Sequence, residues 1–561
     1  MKNSGRVFIF TSLPDVFSGN ILNIILQFYM AVLPTRTNTA GASYHENYHQ
    51  MLELVAKLEN HLTESRFQGG EKHIAKARKQ QKLLARERID LLLDPDSPFL
   101  ELMPLIGLKQ GGFGAGGTVV AGIGLICGRL CMVSANVGTN KGGAIDFFTL
   151  QKAIRVGQIA MENGLPMINL VESAGANLPE QAKIFVQGGI NFKEITRRSK
   201  LGIPSIAVVF GNSTAGGAYI PGMSDYIIMV KERAKVFLAG PPLVKMATNE
   251  VVDDETLGGA DMHSKISGVS DYLAANEYEA IQIAREIVQH LKPAETHFTP
   301  PAHIAPPRYN PDELLGIASA NIKKPFDARE VIARLTDGSE FSEFKPDYGA
   351  TLVTGFAHIH GYPVGILANN GVLFSESSNK GAHFIQLCNR NNTPIIYLQN
   401  ITGFMVGKKY EQEGIIKHGA KLINAVSNSS VPAITIMMGA SYGAGNYGMS
   451  GRAYDPRFLF SWPNHKIAVM GPEQLAGVME MVQREAVAKM GGSIDEEQAS
   501  QMREYMMKEV EGQSNAFYAT AQGWDDGIID PRQTRNVLGF CLAVVNNVPI
   551  NSNNQYGVFR M

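Results

Sequence analysis

Two stretches of the chain repeat one another without a gap, and that repeat constrains the fold more than any other feature. The first runs Pro166-Met-Ile-Asn-Leu-Val-Glu-Ser-Ala174-Gly175, then Pro204-Ser-Ile-Ala-Val-Val-Phe-Gly-Asn-Ser-Thr214-Ala215-Gly216-Gly217-Ala218-Tyr219. The second runs Pro394-Ile-Ile-Tyr-Leu-Gln-Asn-Ile-Thr402-Gly403, then Pro432-Ala-Ile-Thr-Ile-Met-Met-Gly-Ala-Ser-Tyr-Gly443-Ala444-Gly445-Asn446-Tyr447. One offset of 228 residues, from Pro166 to Pro394, also lays Gly175 on Gly403, Pro204 on Pro432 and Gly216-Gly217 on Ala444-Gly445. Lys152 falls on Lys380 at the same offset. The chain reads as a tandem duplication, so a site lies in one half, in the other, or between them.

A chain of 561 residues is too long for one core and suits two domains of roughly 200–250 residues. Apolar residues make up 45% and charged residues 18%, as in a globular protein. With 51 basic against 52 acidic residues, the overall field favours neither nucleic acid nor an anionic membrane. The four cysteines, Cys127, Cys131, Cys388 and Cys541, form no CxxC pair and read as buried free thiols in a reducing compartment. Residues 1–43 carry one acid, Asp15, and an apolar patch, Ile21–Met30, that is too short and polar to span a bilayer. They read equally as an organelle-targeting leader or as translated sequence upstream of the true start, with folded sequence beginning near Tyr44.

Residues 46–93 show helical periodicity, and their basic run from His73 to Ile89 reads as a solvated helix face more readily than a phosphate contact. Asp94-Pro-Asp-Ser-Pro98 stops that helix. Strand-like runs follow at 118–126 and 130–135, with Gly128 between them, and recur at 351–359 and 363–367 around Gly361. Each half then alternates helix and short apolar strand, the rhythm of an α/β domain. The proline-rich stretch 296–311 is a linker, leaving domains of 44–295 and 312–561.

In each half a β-branched strand runs into a turn of the smallest residues and then an expected helix. Small side chains let backbone N–H groups approach a ligand, and a helix N-terminus adds unpaired donors and partial positive charge. Such a turn can hold a developing oxyanion, for example a thioester enolate. Other signals are weak. No HExxH or GxxxxGK[ST] occurs, and Ser173 stands in Glu-Ser-Ala-Gly, not GxSxG. His358, His360 and His383 lack convincing partners, and Asp525-Asp526 and Asp253-Asp254-Glu255 read as solvated turns. Polarising turns without a side-chain base suit a reaction whose second substrate brings its own base.

From about residue 46 to its end the chain resembles the carboxyltransferase (β) subunit of biotin-dependent acyl-CoA carboxylases. The motifs include Gly175-Ala176-Asn177-Leu-Pro179, Thr214–Tyr219, Phe237-Leu-Ala-Gly-Pro-Pro-Leu243, Leu257-Gly-Gly-Ala260, Gln399–Gly407 and Gly443–Arg457. They are similar to the 3-methylcrotonyl-CoA and geranyl-CoA carboxylase branch; the propionyl-CoA branch usually has Arg where Asn177 stands. The resemblance implies a duplicated crotonase-like α/β fold, with the acyl-CoA on the first half and biotin on the second. Gly216 and Gly217 would hold the acyl-CoA enolate oxygen, and Ala444 and Gly445 the ureido oxygen of biotin. Ala174, Gly175, Ala176, Thr214, Ala215 and Ala218 would border the acyl-CoA; Thr402, Gly403, Phe404 and Gly443 would border biotin. The implied reaction carries a carboxyl group from carboxybiotin to 3-methylcrotonyl-CoA, giving 3-methylglutaconyl-CoA in leucine breakdown, with geranyl-CoA or propionyl-CoA as alternative acceptors.

Biotin is expected on another chain, since Val487-Ala-Lys489-Met lacks the Met-Lys-Met of a biotinylated lysine. The implied partners are a biotin carboxylase and carrier α subunit and further copies of this chain, as β6 within α6β6. No metal is expected in this subunit. The implied location is cytoplasmic in a bacterium or the mitochondrial matrix in a eukaryote. One departure stands out: Phe185-Val-Gln-Gly188-Gly189 looks closer to the geranyl-CoA type, and glycine in place of bulk suits a longer acyl chain. Rival readings are an acyl-CoA decarboxylase, a crotonase-type hydratase using Glu172, and an inactive scaffold subunit.

Overall fold

The computed structural model describes residues 31–66, 69–293, 295, 297–491, 495–553 and 555–561, and its strands form two sheets that copy one another. The first sheet holds β1 (Phe99–Glu101), β2 (Val119–Ile126), β3 (Arg129–Asn136), β4 (Met167–Ser173), β5 (Ser205–Thr214), β6 (Tyr226–Val230), β7 (Lys235–Phe237) and β8 (Tyr272–Ala274). Its order is β1-β2-β3-β4-β5-β6-β8, with β7 added on β5. The second holds β9 (Ser342–Glu343), β10 (Leu352–Ile359), β11 (Tyr362–Asn369), β12 (Ile395–Ile401), β13 (Ala433–Tyr442), β14 (Phe458–Ser461) and β15 (Lys466–Ala468). Its order is β14-β13-β12-β11-β10-β9, with β15 on β13. In both, an antiparallel hairpin leads into parallel strands joined by helical crossovers.

The offset read from the sequence is structural. Strands β4 and β12 are 7 residues each and β5 and β13 are 10 each, all at the one offset. The hairpins are copied down to their turns: Cys127-Gly128 (φ 50° and 75°) and His360-Gly361 (φ 49° and 79°) are two-residue turns with both φ positive. An aspartate clamps each one, Asp94 accepting the Cys127 and Gly128 amides at 2.8 and 2.7 Å and Asp337 those of His360 and Gly361 at 2.9 and 2.7 Å.

The helical segment before the first sheet breaks into three pieces: α1 (Ala42–Arg66), α2 (Glu71–Lys79) and α3 (Ala85–Leu92). The crossover helix α4 (Phe147–Glu162) precedes β4, and α5 (Gln181–Lys200) precedes β5. In the second half α6 (Ser375–Arg390) repeats α4 at the same offset, and the long pair α7 (Pro472–Lys489) and α8 (Glu496–Ser514) follows β15.

Two self-contained cores are not what forms. Each sheet has an outer core of its own, such as Val133, Ile168, Ile206 and Phe210 against Ile89 and Ile281. The inner faces meet in one core that joins Ile123, Met132 and Ile159 to Val353, Ile366, Ile434, Phe460 and Leu542. Burying two apolar sheet faces against each other removes more apolar surface from water than leaving each half closed alone. The folded chain also starts before Tyr44. Leu33 N–H donates to Ser339 O (2.9 Å), Phe341 N–H to Ala31 O (3.0 Å), and the Arg36 amide and the Thr35 and Thr37 hydroxyls all donate to Glu330. The first 30 residues of the expected leader lie outside the described residues.

Candidate active site

The site grows from the ends of the parallel strands. Strands β4 and β5 stay in register as far as Val171 opposite Val209, then slip so that Ser173 faces Ser213. Strands β12 and β13 slip likewise between Gln399 and Ile401. The slip opens the carboxyl edge of each sheet, where ligands bind in open α/β sheets. Immediately beyond, Ala215 (φ 53°) and the equivalent Gly443 (φ 55°) take the left-handed conformation. For alanine that angle costs about 1–2 kcal/mol, strain of the kind found at functional sites. It carries the next two amides out of the strand ladder. Among the described residues, the amides of Gly216, Gly217, Ala444 and Gly445 have no acceptor outside their own short helices.

The expected helix behind each turn is shorter than anticipated. A 3-10 turn, Ala215–Ala218, runs into Tyr219–Gly222, where Pro221 interrupts; in the second half the helix is only Ala444–Gly448. A macrodipole of that length is slight, so the amides act as individual donors. Glycine at 216 and 217 answers no internal packing need. A Cβ at Gly216 would meet only Phe192 at 3.5 Å, and one at Gly217 nothing nearer than 3.9 Å. Gly445 differs, since its Cβ would press on Ile401 at 2.6 Å. The space above the exposed Gly216 is therefore open, while Gly217 is buried beside Ser173, Ser213 and Gly175.

Nearby hydroxyls are already engaged. Ser173 Oγ donates to Gly143 O (2.8 Å) and accepts from Gly175 N–H (3.2 Å), while Ser213 Oγ donates to Gly217 O (3.0 Å). Beside the first turn lies a cleft of about 380 Å³, lined by His73, Lys76, Lys82, Arg88 and Arg233 against the carboxylate of Glu172, with Gly142 and Ala174 at its floor. Part of the basic run thus lines a cleft, through His73, Lys76, Lys82 and Arg88, while Arg78 and Lys79 stay exposed as on a solvated face. Lys82 Nζ and Arg88 Nη1 donate to the two Glu172 oxygens at 2.6 and 2.8 Å, and Arg88 also grips Glu277 and lies 4.2 Å over the Phe210 ring. Burial pushes the Glu172 carboxyl up, but Arg88 and Lys82 outweigh it and hold the group ionised. A carboxylate so engaged is poorly placed to shuttle protons.

The second half keeps the frame and drops the charge. Asn400 stands where Glu172 does, and its Oδ1 accepts the Ala440 amide at 3.0 Å. Beside Ala444 opens an apolar cavity of about 580 Å³, walled by Val469, Leu475, Tyr518 and Trp524. Ala444, whose amide has no acceptor outside its own short helix among the described residues, lines that cavity, and Gly445 is buried behind it. The doublet behind Trp524 is no solvated turn: Asp525 and Asp526 are 1% and 0% exposed. Asp526 accepts from Arg155 Nε (2.9 Å), Arg452 Nη2 (2.8 Å) and the Leu459 amide (2.8 Å), joining the halves.

A family model described as the carboxyl transferase domain matches residues 76–556. The chain belongs to the carboxyl transferase family. It is 52% identical over 536 residues, covering 94% of this chain and all of the other, to a probable biotin-dependent acyl-coenzyme A carboxylase β2 subunit of Mycobacterium tuberculosis. It is 48% identical to a probable mitochondrial methylcrotonoyl-CoA carboxylase β chain of Drosophila melanogaster, covering 94% of this chain and 95% of that one. Among solved structures it is similar to the geranyl-CoA carboxylase β subunit of P. aeruginosa, with a TM-score of 0.87 and 43% identity over 94% of this chain and 99% of that one.

Within this carboxyltransferase, which has the duplicated crotonase-like fold, the residues singled out from sequence divide by position. Ala174, Ala176, Ala215 and Gly216 are exposed at the crevice, with Thr214 half-buried beside them. Gly175 (φ 87°) underlies the first turn, 4.0 Å from where a Gly217 Cβ would stand. Ala218 instead packs into the core with Val171 and Ala207. Thr402 and Ala444 are exposed, and Gly403 lies 3.3 Å from a Cβ placed on Gly445. The Phe404 ring packs under Gly419 and Gly448, so it braces the second turn from below. Lys82 and Arg88 lie within the basic run legible in the sequence, whereas Arg233, in the turn between β6 and β7, carries no sequence signal of its place in the cleft. The cysteines are all free, but Cys127 sits exposed in its hairpin turn and only the other three are buried.

Proposed function

We propose that this chain transfers a carboxyl group from biotin, carried on a separate subunit, to an acyl-CoA bound by the first half. The observation that carries the reading is the pair of equivalent turns whose four amides have, among the described residues, no acceptor outside their own short helices. Biotin supplies the carboxyl group and, once free of it, a basic ureido nitrogen. Gly216 and Gly217 donate to the thioester oxygen as charge builds there, a contribution of about 10²–10³ in rate per donor in comparable sites. The cationic cleft of His73, Lys76, Lys82 and Arg233 receives the CoA phosphates. Ala444 and Gly445 donate to the urea oxygen, and the apolar cavity excludes water around it. A hydratase is disfavoured because Lys82 and Arg88 occupy both oxygens of Glu172.

The acceptor is 3-methylcrotonyl-CoA, in keeping with the name of the Drosophila relative. One observation favours a longer acceptor such as geranyl-CoA: a Cβ at Gly188 or Gly189 on α5 would meet nothing within 4 Å. The chain assembles with copies of itself, as β6 within α6β6, and with a biotin-bearing α subunit. Support for that assembly lies in Phe185, Val186, Met481 and Val482, apolar side chains left exposed on α5 and α7. It works in the cytoplasm of a bacterium or the matrix of a mitochondrion.

The test is carboxyl exchange without ATP, from 3-methylglutaconyl-CoA or carboxygeranyl-CoA to free biotin. The wild-type chain should exchange, with the first donor faster; a faster second donor would reassign the acyl group. Gly217→Val should fold and assemble normally yet lose at least about a hundredfold in exchange. Normal exchange in that variant would overturn the assignment of the first turn, and biotin-independent hydration of an enoyl-CoA would overturn carboxyl transfer.

A further inference from the structure

The duplication left a tyrosine at one register in both halves that no step above uses. Tyr219 and Tyr447 correspond at the offset that lays Gly216-Gly217 on Ala444-Gly445, and each is the second residue after its donor pair. The residue between is buried in both cases, Ala218 in the core and Asn446 through its Nδ2 donating to Ser441 Oγ at 2.7 Å. The tyrosine is therefore the first side chain past the donors to face outward. The two rings are 47% and 45% exposed, nearly the same. One exposed ring is ordinary; the same exposure twice, beside the same unpaired donors, is not.

Each ring stands against a second. Tyr219 meets Phe192 edge-on, at 5.9 Å and 63°, and Phe192 is also the nearest atom source to a Cβ on Gly216. Tyr447 is stacked on Tyr454, at 5.6 Å and 30°, and it lines the cavity beside Gly443 and Ala444. The second rings come from unrelated elements: Phe192 from α5, and Tyr454 from the short turn Arg452–Tyr454. At the same offset Ala420 stands where Phe192 does, so the tyrosine is shared and the ring against it is not.

We propose that Tyr447 is the stacking wall over the flat ureido ring of biotin, and Tyr219 the equivalent wall beside the acyl group of the thioester. This rests on the carboxyl transfer reading above. Amides bond a carbonyl oxygen near the plane of its group, which leaves the faces of the urea uncovered. An aromatic face there adds dispersion and keeps water from the oxygen on which charge develops. The ring is the working part, not the hydroxyl.

Exchange kinetics with Tyr447→Ala, Tyr447→Phe, Tyr219→Ala and Tyr219→Phe test this. Tyr447→Ala should raise KM for free biotin about tenfold, the scale of one lost ring contact, and leave KM for the acyl-CoA unchanged. Tyr219→Ala should do the reverse, and both phenylalanine variants should match the wild type. Equal effects on both substrates, no effect, or a phenylalanine variant as damaged as alanine would overturn the proposal. A lowered melting midpoint in the alanine variants, restored by phenylalanine, would mark a packing role and also overturn it. Absence of exchange in the wild type would instead remove the carboxyl transfer reading on which it rests.

Discussion

Asp525 is the residue whose surroundings fit its chemistry least. It is 1% exposed, with the Thr520 and Ser461 hydroxyls beside its carboxyl and Arg452 as the nearby cation. Burial pushes its pKa up to about 6, while neighbouring Asp526 is held well below the usual range because Arg155 and Arg452 outweigh its burial. An acid whose folded pKa is raised contributes stability below its unfolded pKa, near 4, and loses it as pH rises through about 6. At pH 8 the folded chain therefore carries the cost of a buried charge, of order 1–3 kcal/mol. Asp525→Asn should raise the urea midpoint at pH 8 and change it little at pH 5. An equal shift at both values would show that ionisation of this group is not what costs stability. Nothing in the dipeptide Asp525-Asp526 distinguishes it from a surface turn; its burial is decided by β14 and by the segments carrying Arg155, Arg452 and Thr520 that close around it.

At the scale of elements, the short arm 31–37 illustrates how much a few residues can satisfy. Glu330 is 8% exposed on the helix Ala328–Leu335 and accepts Thr35 Oγ1 (2.7 Å), Arg36 N–H (2.6 Å) and Thr37 Oγ1 (2.9 Å). Arg334 Nη1 supplies a fourth donor at 2.8 Å. Removing residues 1–43 would leave this buried carboxylate with one cation and too few donors, at about 1–3 kcal/mol. The same deletion in a Glu330→Gln background should cost less, which a double-mutant cycle in urea would read as coupling. Additive effects would mean the arm acts elsewhere. Composition cannot reveal this arm, because its partner lies almost 300 residues away. The hairpin turns Cys127-Gly128 and His360-Gly361 were legible because a two-residue turn is written in adjacent residues.

For the whole molecule, the shared core and the Arg155–Asp526–Arg452 cluster decide how the halves behave together. Arg155, on α4, reaches Asp526 and the carbonyls of Pro456 and Arg457 at 2.9–3.0 Å. Arg457 returns the contact to Glu162 O and Asn163 Oδ1. Replacing Arg155 by Met leaves Asp526 buried with half its cations, a loss of about 3–5 kcal/mol. The inner apolar faces remain in contact in that variant, so both halves should still unfold in one transition at a lower midpoint. Two separate transitions would show that ion pairing, not the shared core, couples them.

By itself the sequence determined the duplication, its offset, the two small-residue turns, the hairpins and the family. Each is a pattern among neighbours or a repeat of one segment by another, and backbone geometry converts such patterns directly into elements. Tertiary structure alone decided that part of the basic run of α2 and α3 walls a cleft, that Ala218 and Phe404 brace the turns from within, and that Asp525 and Asp526 are sealed inside. Those outcomes depend on what distant segments cover. Burial, and with it charge state and access to ligand, belongs to pairs of residues brought together by folding and to neither residue alone.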